Sequence, residues 1–329
     1  MKERSKDMRI LVIGAGVLGC NLAANLYHAG KDVTLLARGA WYEQIRSQGL
    51  VIRNMLLPRY DRLFKIGKKF GIDREERRMA IRVINELKAE DRYEVIFVCA
   101  QFTQLDEIVR MLQKNPSRNI IFIGNDLRPK YYASLLKGRN VMFGFTLAAG
   151  HRAPDHVASI DLRHITVGDL KGHPSNKFLI RKIFENTAYR LEYESNIEDY
   201  LLTHAAVVVP VCYACYAVDG DLKKIGRDDS WIHLLIDGNI DVYRALERLG
   251  HEILPNTLSS YRKRSYRTKF FIFYKLMAST FLGKLCASDH AMSAISEMKA
   301  LAKELDQLVE RSGVEVPSYK RLKAMQDYI

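Results

Sequence analysis

The sequence has few cysteines, and they do not form a disulfide framework. There are five, an odd number, at Cys20, Cys99, Cys212, Cys215 and Cys286. Scattered cysteines of this kind exclude a disulfide-stapled scaffold and favour a reducing compartment, so we expect a cytoplasmic protein. Cys212 and Cys215 form a C-x-x-C pair, but they lie inside an apolar stretch and not at a helix start that would stabilise a thiolate. We interpret them as two small core residues.

An uninterrupted apolar run long enough to cross a membrane is also missing. The candidate segment, residues 270–287, contains Lys275 and Lys284, whereas a membrane span needs about 20 largely uncharged residues. We predict a buried helix or helix pair there, and no membrane partner. The charged start, MKERSKD, leads into a short apolar run that breaks into glycines, so no secretory signal is expected.

Acidic residues are in short supply. The 38 Asp and Glu residues face 51 Lys and Arg residues, which gives a net charge of +13. Basic residues are concentrated in segments 59–78 and 262–269. Nucleic acid could bind such surfaces, but no nucleic-acid-binding motif accompanies them. A phosphate-bearing cofactor with an anionic substrate also calls for positive charge, and solvated faces are the ordinary explanation, so we predict no nucleic-acid partner.

The first half of the chain alternates β-rich runs with helical patterns, which predicts a parallel sheet with helices on its faces. The runs are RILVIG, DVTLLAR, GLVIRN, MAIRVINEL, YEVIFVCA, NIIFIGND and VMFGFTLAAG. Two later runs, HVASIDLR and HITVGDL, suggest a hairpin-like addition, and YRLEYE suggests a last strand. We therefore predict an α/β Rossmann-type domain with a mostly parallel, doubly wound sheet.

From residue 197 onward the helical periodicity is almost continuous. It predicts helices over residues 197–218, 230–249, 258–286, 289–311 and 318–329. A chain of 329 residues is long for a single core. The sequence thus predicts two domains: an α/β Rossmann-type domain over residues 1–195, and an all-α domain over residues 196–329.

The segment GAGVLG, residues 14–19, matches the G-x-G-x-x-G pattern. It follows an apolar strand and opens a helix, which is the context of a dinucleotide-binding turn. Gly14, Gly16 and Gly19 would permit the tight turn and the close approach of a pyrophosphate. Val17 and Leu18 would present free N–H groups at the helix start. The alternative is a glycine turn that binds no ligand.

No acidic residue follows the second strand, where NAD-selective proteins place an Asp or Glu on the ribose 2′-hydroxyl. The strand ends instead in LLAR, with Arg38 as the last residue. A carboxylate would repel a 2′-phosphate, whereas a guanidinium can bind it through two parallel hydrogen bonds. Arg38 therefore predicts NADP(H) as the cofactor, and the alternative is a solvated arginine in the loop.

These segments resemble the ketopantoate reductase (2-dehydropantoate 2-reductase) family over most of the chain. The strongest similarity lies in RILVIGAGVLGCNLAANLYHAGKDVTLLARG, and NIIFIGNDL, FGFTLAAGHR and GVEVP are similar too. The resemblance implies that residues 1–195 form an NADP-binding Rossmann domain and that residues 196–329 form a helical domain for substrate binding and dimerisation. It also implies NADPH-dependent reduction of a small 2-oxo acid or related ketone, a place in pantothenate biosynthesis, and a monomer or homodimer.

The resemblance also implies roles for particular residues. Asn125 would lie near the nicotinamide and the substrate carbonyl, and Glu297 falls on the family's active-site glutamate. Gln101 occupies the position of a family lysine after VIFVCA, beside the cofactor. The family's catalytic lysine falls on Leu201 or Leu202. No lysine occurs between residues 182 and 223, so this chain would be a divergent member.

His204 is the usual kind of proton donor in the segment that lacks the lysine. It lies three residues after Leu201, so the two share a helix face, and histidine titrates near neutral pH. The alternative is a histidine hydrogen-bonded in the domain interface. His290 and Glu297 are seven residues apart, two helical turns, so we expect both to face the same way. No metal site is predicted.

Two functions remain open from the sequence. The first is an NADPH-dependent reductase that uses Asn125, Glu297 and His204. The second is an NADP(H)-binding regulatory or sensor protein that has lost the reductase activity, which Gln101 and the missing lysine favour.

Overall fold

The computed structural model describes residues 8–54, 77–280 and 283–329. The chain divides into two compact units, and the division falls between Ile197 and Glu198. The short segment Asn125–Leu127 groups with the second unit. Most of the basic segment 59–78 lies outside the described residues.

The first unit alternates strands with helices. Its strands are β1 (Arg9–Ile13), β2 (Asp32–Leu36), β3 (Leu50–Asn54), β4 (Arg77–Met79), β5 (Arg82–Ile84), β6 (Val95–Val98), β7 (Asn119–Ile123), β8 (Asn140–Arg152), β9 (Val157–Gly168) and β10 (Arg190–Glu194). Its helices are α1 (Val17–His28), α2 (Gly39–Gln48), α3 (Leu105–Gln113), α4 (Pro129–Leu135) and α5 (Lys177–Phe184), with a 3₁₀ turn at Phe102–Gln104.

The strands form one sheet in the order β4-β3-β9-β8-β7-β6-β1-β2-β5, and β10 pairs with β9. The run from β5 through β2, β1, β6 and β7 to β8 is parallel, whereas β8 and β9 are antiparallel. Every residue of β6 is buried, as expected for a parallel sheet covered by helices on both faces. The predicted mostly parallel α/β fold is confirmed.

β1 lies between β2 and β6 in the sheet. The chain leaves β1 through α1 to β2 on one side, where β5 also adds, whereas β6, β7 and β8 lie on the other side. Such a point of reversal opens a crevice at the carboxyl ends of the strands, where dinucleotides bind in folds of this type. The segments after β1, β2 and β6 all begin at this edge.

Two strand predictions were wrong. HVASIDLR and HITVGDL form one continuous strand, β9, because Asp161 accepts a hydrogen bond from the N–H of Arg163 and supports its left-handed backbone, with φ of 52°. A register shift opposite, between Thr146 and Ala148 of β8, accommodates the irregularity. MAIRVINEL splits between β4 and β5, which pair with β3 and β2 respectively.

The described residues of the second unit form helices joined by turns and irregular segments, with no strand among them. Its helices are α6 (Ile197–Ala217), α7 (Leu222–Arg227), α8 (Asp229–Arg248), α9 (Arg264–Ser279), α10 (Asp289–Ser293), α11 (Ile295–Ser312) and α12 (Pro317–Ala324), with a π-helical turn at Lys284–Ser288. The predicted all-α second half is confirmed. Asn239 of α8 links α6 to α9, because it donates to the carbonyl of Ala206 and accepts from the hydroxyl of Tyr274.

The long helix predicted over residues 258–286 is shorter in the structure. It begins at Arg264 because Ser259 and Ser260 donate side-chain hydrogen bonds to the carbonyls of Asn256 and Thr257, which favours tight turns over a helical ladder. At its other end, Thr280 has an extended backbone. Of the basic segment 262–269, Arg262 and Arg267 pair with acidic residues of α8.

α6 is the one described helix that is long and apolar enough to span a membrane, with a mean hydropathy of 1.5 over the tested window. Two-thirds of that window, 67%, is buried within the protein. A core helix of a globular protein shows the same length and composition. In the sequence, residues 270–287 were the candidate membrane span, and not α6.

Candidate functional site

The glycine-rich turn connects β1 to α1. Gly14 has φ of 101°, in the left-handed region that favours glycine, and a Cβ atom there would lie 2.5 Å from the carbonyl oxygen of Cys99. A Cβ atom at Gly19 would overlap the carbonyl oxygen of Gly14. A side chain at either position would therefore force β1, β6 and α1 apart.

Gly16 is different, because its lack of a side chain is not needed for packing. Its backbone is extended, with φ of −85° and ψ of −165°, and a Cβ atom there would meet no described atom within 4 Å. It is the residue before α1, where the N–H groups of the first turn have no partner within the helix. Open space beside a helix N-terminus fits the pyrophosphate of a dinucleotide.

Arg38 lies just beyond β2, on extended backbone directly before α2. Its side chain is 61% exposed, and its Nη1 and Nη2 atoms each lie 3.4 Å from Oε1 of Glu107. An exposed ion pair of this kind stabilises a fold by roughly 0–1 kcal/mol. The guanidinium can therefore exchange this partner for another anion at little cost.

Gln101 follows β6 and precedes the 3₁₀ turn. Its side chain accepts a hydrogen bond from the backbone of Gln104, and the Gln104 side chain accepts one from the N–H of Gln101. The two amides thus cap the turn reciprocally. Gln101 is exposed and adds no charge at the carboxyl edge of the sheet.

The sequence analysis identified neither Glu107 nor Arg128. Arg128 lies just before α4, and its guanidinium lies over the rings of Phe102 and Tyr132, at 5.0 and 5.3 Å from their centres. Its Nη2 atom is also 3.3 Å from Oδ2 of Asp106. The sequence signal was the pair of consecutive acids, Asp106 and Glu107, in the first turn of α3.

Asn125 lies two residues after β7. Its Oδ1 atom is buried and has no hydrogen-bond partner among the residues that the structure describes. A buried acceptor without a donor costs about 1–3 kcal/mol, so such atoms in native proteins call for an explanation, and a bound ligand is one. The preceding Gly124 approaches the start of α1, since a Cβ atom there would lie 4.0 Å from Cδ1 of Leu18.

His204 on α6 differs from the sequence expectation in its acidity. Its Nε2 atom is buried, and burial lowers the pKa of His204 to about 4, with a smaller contribution from His290. Burial also lowers the pKa of His290. The near-neutral pKa expected for His204 is therefore wrong, because the imidazolium would lose its hydration. A neutral imidazole retains one N–H with which it can donate a hydrogen bond.

Glu297 lies in the first turn of α11 and is only 5% exposed. It lies close to Cys212 of α6: the pKa of the Cys212 thiol is raised mainly by burial, and further by Cys215 and by the charge of Glu297. Both thiols are buried, and burial raises the pKa of Cys215 to about 12. The pair is thus inert core, as the sequence analysis interpreted it.

The single helix predicted over residues 289–311 is wrong. α10 ends at Ser293 and α11 begins at Ile295, with Ala294 at φ of −124° and ψ of 34° between them. The Ser293 hydroxyl donates to the carbonyl of His290, a local bond that competes with the helical ladder. His290 and Glu297 therefore do not share one helix face. Instead, His290 approaches His204.

Leu201 and Leu202, one of which is predicted to align with the family's catalytic lysine, are both 2% exposed. α6 therefore presents apolar side chains at these two positions. His204 lies one turn further along the same helix.

We expect His204 to make the protein sensitive to acid. Because its folded pKa of about 4 lies below the unfolded value of 6.5, only the unfolded state binds the proton between these values, and stability falls as pH falls from 6.5 to 4. The loss is up to about 3 kcal/mol. In His204→Gln, the melting temperature should fall less over this range than in the wild type. The exposed His173 provides the control, and a His173→Gln variant should behave as wild type.

The fold and the turn define a class: a Rossmann-type α/β unit followed by an all-helical unit. A family model described as ketopantoate reductase PanE/ApbA matches residues 10–172, and through this segment the chain belongs to that family. Members of the family are oxidoreductases that act on CH–OH groups. No curated protein sequence matches the chain.

Several solved structures share the fold at low sequence identity. 2-Dehydropantoate 2-reductase from Geobacter metallireducens GS-15 has a TM-score of 0.75 and 14% identity, over 97% of this chain and 98% of that one. A PanE/ApbA family ketopantoate reductase from Ralstonia eutropha JMP134 has a TM-score of 0.71 and 15% identity, over 97% of both chains. D-mandelate dehydrogenase with NADH and anilino(oxo)acetate has a TM-score of 0.71 and 14% identity, over 97% of this chain and 96% of that one.

Proposed function

We propose that the protein is an NADP(H)-dependent reductase of a small 2-oxo acid or related ketone. The observation that carries the proposal is the open backbone at Gly16, beside the N-terminus of α1, together with a guanidinium one strand later at Arg38. Membership of the ketopantoate reductase family supports the reaction class. D-mandelate dehydrogenase, which shares the fold, is described with NADH and anilino(oxo)acetate.

In this proposal the first unit binds the cofactor. Gly14, Gly16 and Gly19, with the N–H groups of Val17 and Leu18, hold the pyrophosphate. Arg38 binds the 2′-phosphate. Gln101, after β6, lines the carboxyl edge of the sheet beside the cofactor. When bound, the nicotinamide supplies or accepts a hydride at the substrate carbon.

The remaining residues act on the substrate. Reduction of a ketone develops negative charge on its oxygen, and pre-positioned hydrogen-bond donors stabilise that charge. The Asn125 amide and the N–H of neutral His204 are the candidate donors. Because the pKa of His204 is about 4, it acts as a hydrogen-bond donor and not as an imidazolium acid. Glu297 accepts a hydrogen bond from a substrate hydroxyl.

The absence of the lysine bears on the choice of substrate. Leu201 and Leu202 remove positive charge from α6, so we propose a 2-oxo acid other than ketopantoate as the preferred substrate, and a role outside pantothenate biosynthesis. We further propose a cytoplasmic monomer or homodimer, in which residues 1–195 bind the cofactor and residues 196–329 bind the substrate.

A substrate panel tests the reductase. With NADPH and a series of 2-oxo acids that includes ketopantoate, we expect oxidation of NADPH well above background for at least one member. Glu297→Gln should lower kcat/KM for that substrate by about 100-fold, the scale of a lost catalytic contact. Glu310→Gln, an exposed change on the same helix, should leave it unchanged. If NADPH binds but no 2-oxo acid in the series is reduced, the proposed reductase activity is contradicted.

That same result would support the second candidate, an NADP(H)-binding sensor without reductase activity. Two positions favour this alternative, namely Gln101 and either Leu201 or Leu202, because they replace the two lysines that the family resemblance leads one to expect. A sensor would bind NADPH and would retain a protein partner in a pull-down that depends on the cofactor.

A further inference from the structure

Glu107 contacts the guanidinium of Arg38, the same group that would bind the cofactor's phosphate. A single oxygen, Oε1, lies 3.4 Å from both Nη1 and Nη2 of Arg38. These two nitrogens form one of the forked edges that bind a phosphate through two hydrogen bonds. A 2′-phosphate that used this edge would have to displace the Glu107 carboxylate or approach close to it.

α3 holds Glu107 in place whether or not a cofactor is bound. Leu105, Ile108, Val109 and Leu112 of this helix are buried, so the helix is anchored and Glu107 lies on its exposed side. Glu107 is also in the first turn, where the helix dipole favours a negative charge. The backbone at Glu107 is therefore anchored, so its negative charge stays in the neighbourhood of Arg38.

The two nicotinamide dinucleotides respond to this carboxylate in opposite ways. A 2′-phosphate carries a charge of about −1.5 to −2 at neutral pH, so a carboxylate beside it is repulsive. The 2′-hydroxyl of NAD(H) is neutral and can donate a hydrogen bond to the same oxygen. Glu107 thus supplies, from α3, the kind of acceptor that NAD-selective folds place after the second strand.

We propose that Glu107 is a specificity-determining residue of the cofactor site, which opposes Arg38 and reduces the preference for NADP(H) over NAD(H). The inference rests on the proposed function, because it requires that a nicotinamide dinucleotide binds beside Arg38. Its content is separate, however, because it fixes the sign of one residue's effect on the ratio of two affinities.

Titration calorimetry with Glu107→Gln tests this directly. The substitution keeps the shape of the side chain and removes its charge. We expect the dissociation constant for NADPH to fall by about threefold to tenfold at low ionic strength, from the loss of like-charge repulsion across the guanidinium. The constant for NADH should stay the same or rise, and the gain for NADPH should shrink when salt screens the exposed charges.

Glu43→Gln is the matched control. Glu43 is an exposed acid that pairs with Arg46 in the same way, on α2, and its substitution should leave the ratio of the two dissociation constants unchanged. An unchanged ratio in Glu107→Gln would overturn the inference. Weaker NADPH binding would also overturn it, because Glu107 would then be holding Arg38 in position for the phosphate. If the wild-type protein binds neither dinucleotide, the proposed function itself fails, and the inference with it.

Discussion

Replacing Gly16 with alanine should weaken NADPH binding by about 10- to 100-fold while leaving the fold intact. The added methyl group meets no described protein atom, so it stands in the open space that the pyrophosphate would fill. Crowding a close contact by one methyl group costs about 1–3 kcal/mol, which corresponds to this range of affinity. The extended backbone at Gly16 accepts alanine without strain. The melting temperature should therefore stay the same or rise slightly, since alanine restricts the unfolded chain.

Gly30→Ala is the complementary control. Gly30 has φ of 76° and also has open space around its Cα atom. Alanine in this left-handed conformation costs roughly 1–2 kcal/mol, so the variant should melt at a lower temperature. Its NADPH affinity should not change, because Gly30 follows the far end of α1. Equal loss of affinity in both variants would show that the effect of Gly16→Ala is a general consequence of destabilisation.

Changing Arg38 to aspartate should reverse the cofactor preference. The substitution removes a bidentate, charge-assisted contact to the 2′-phosphate and puts a second carboxylate near Glu107. Hydrogen bonds to a charged group contribute about 1.5–3 kcal/mol each, so we expect NADPH affinity to fall by at least about 100-fold. NADH affinity should hold or improve, because the new carboxylate can accept a hydrogen bond from the ribose hydroxyl.

Arg46→Asp provides the matched control for this change of charge. Arg46 is an exposed arginine of α2 that pairs with Glu43, and its substitution alters the net charge of the protein by the same amount. Both affinities should stay within about twofold of the wild type, since exposed charges at a distance are screened. If Arg38→Asp left NADPH affinity untouched, Arg38 would be a solvated loop residue and not a phosphate ligand.

The parts of the fold that follow from short-range patterns were predictable from sequence. Apolar strands that alternate with helical periodicity imply a parallel sheet, and G-x-G-x-x-G after the first strand places a tight turn between β1 and α1. The break from mixed to all-helical pattern near residue 197 follows from periodicity alone. These features depend mainly on residues that are close in the chain, which is why a sequence pattern reports them.

Other features depend on contacts that periodicity does not report. The helix break at Ala294 accompanies a hydrogen bond from the Ser293 side chain, and a helical pattern continues straight through both residues. The continuity of β9 depends on Asp161, whose side chain supports the left-handed backbone at Arg163. Neither bond changes the hydrophobic pattern.

Features of the candidate site were hidden for a similar reason. The pKa of His204 depends on burial and on His290, which is 86 positions further along the chain. Arg38 and Glu107 are 69 residues apart. The lack of an acid after β2 is visible in the sequence. That α3 brings Glu107 to the guanidinium of Arg38 is visible only in the fold. The roles of Asn125, Glu297 and His204 stay predictions until the variants are measured.

The proposed function requires that the turn at Gly16 and the guanidinium of Arg38 together bind a phosphorylated adenosine. Calorimetric titration of the wild-type protein with NADPH and with NADH tests it most directly. We expect one site per chain, with NADPH bound more tightly than NADH by about tenfold or more, or about 1.4 kcal/mol. If the protein bound neither NADPH nor NADH, the proposed pocket would be wrong.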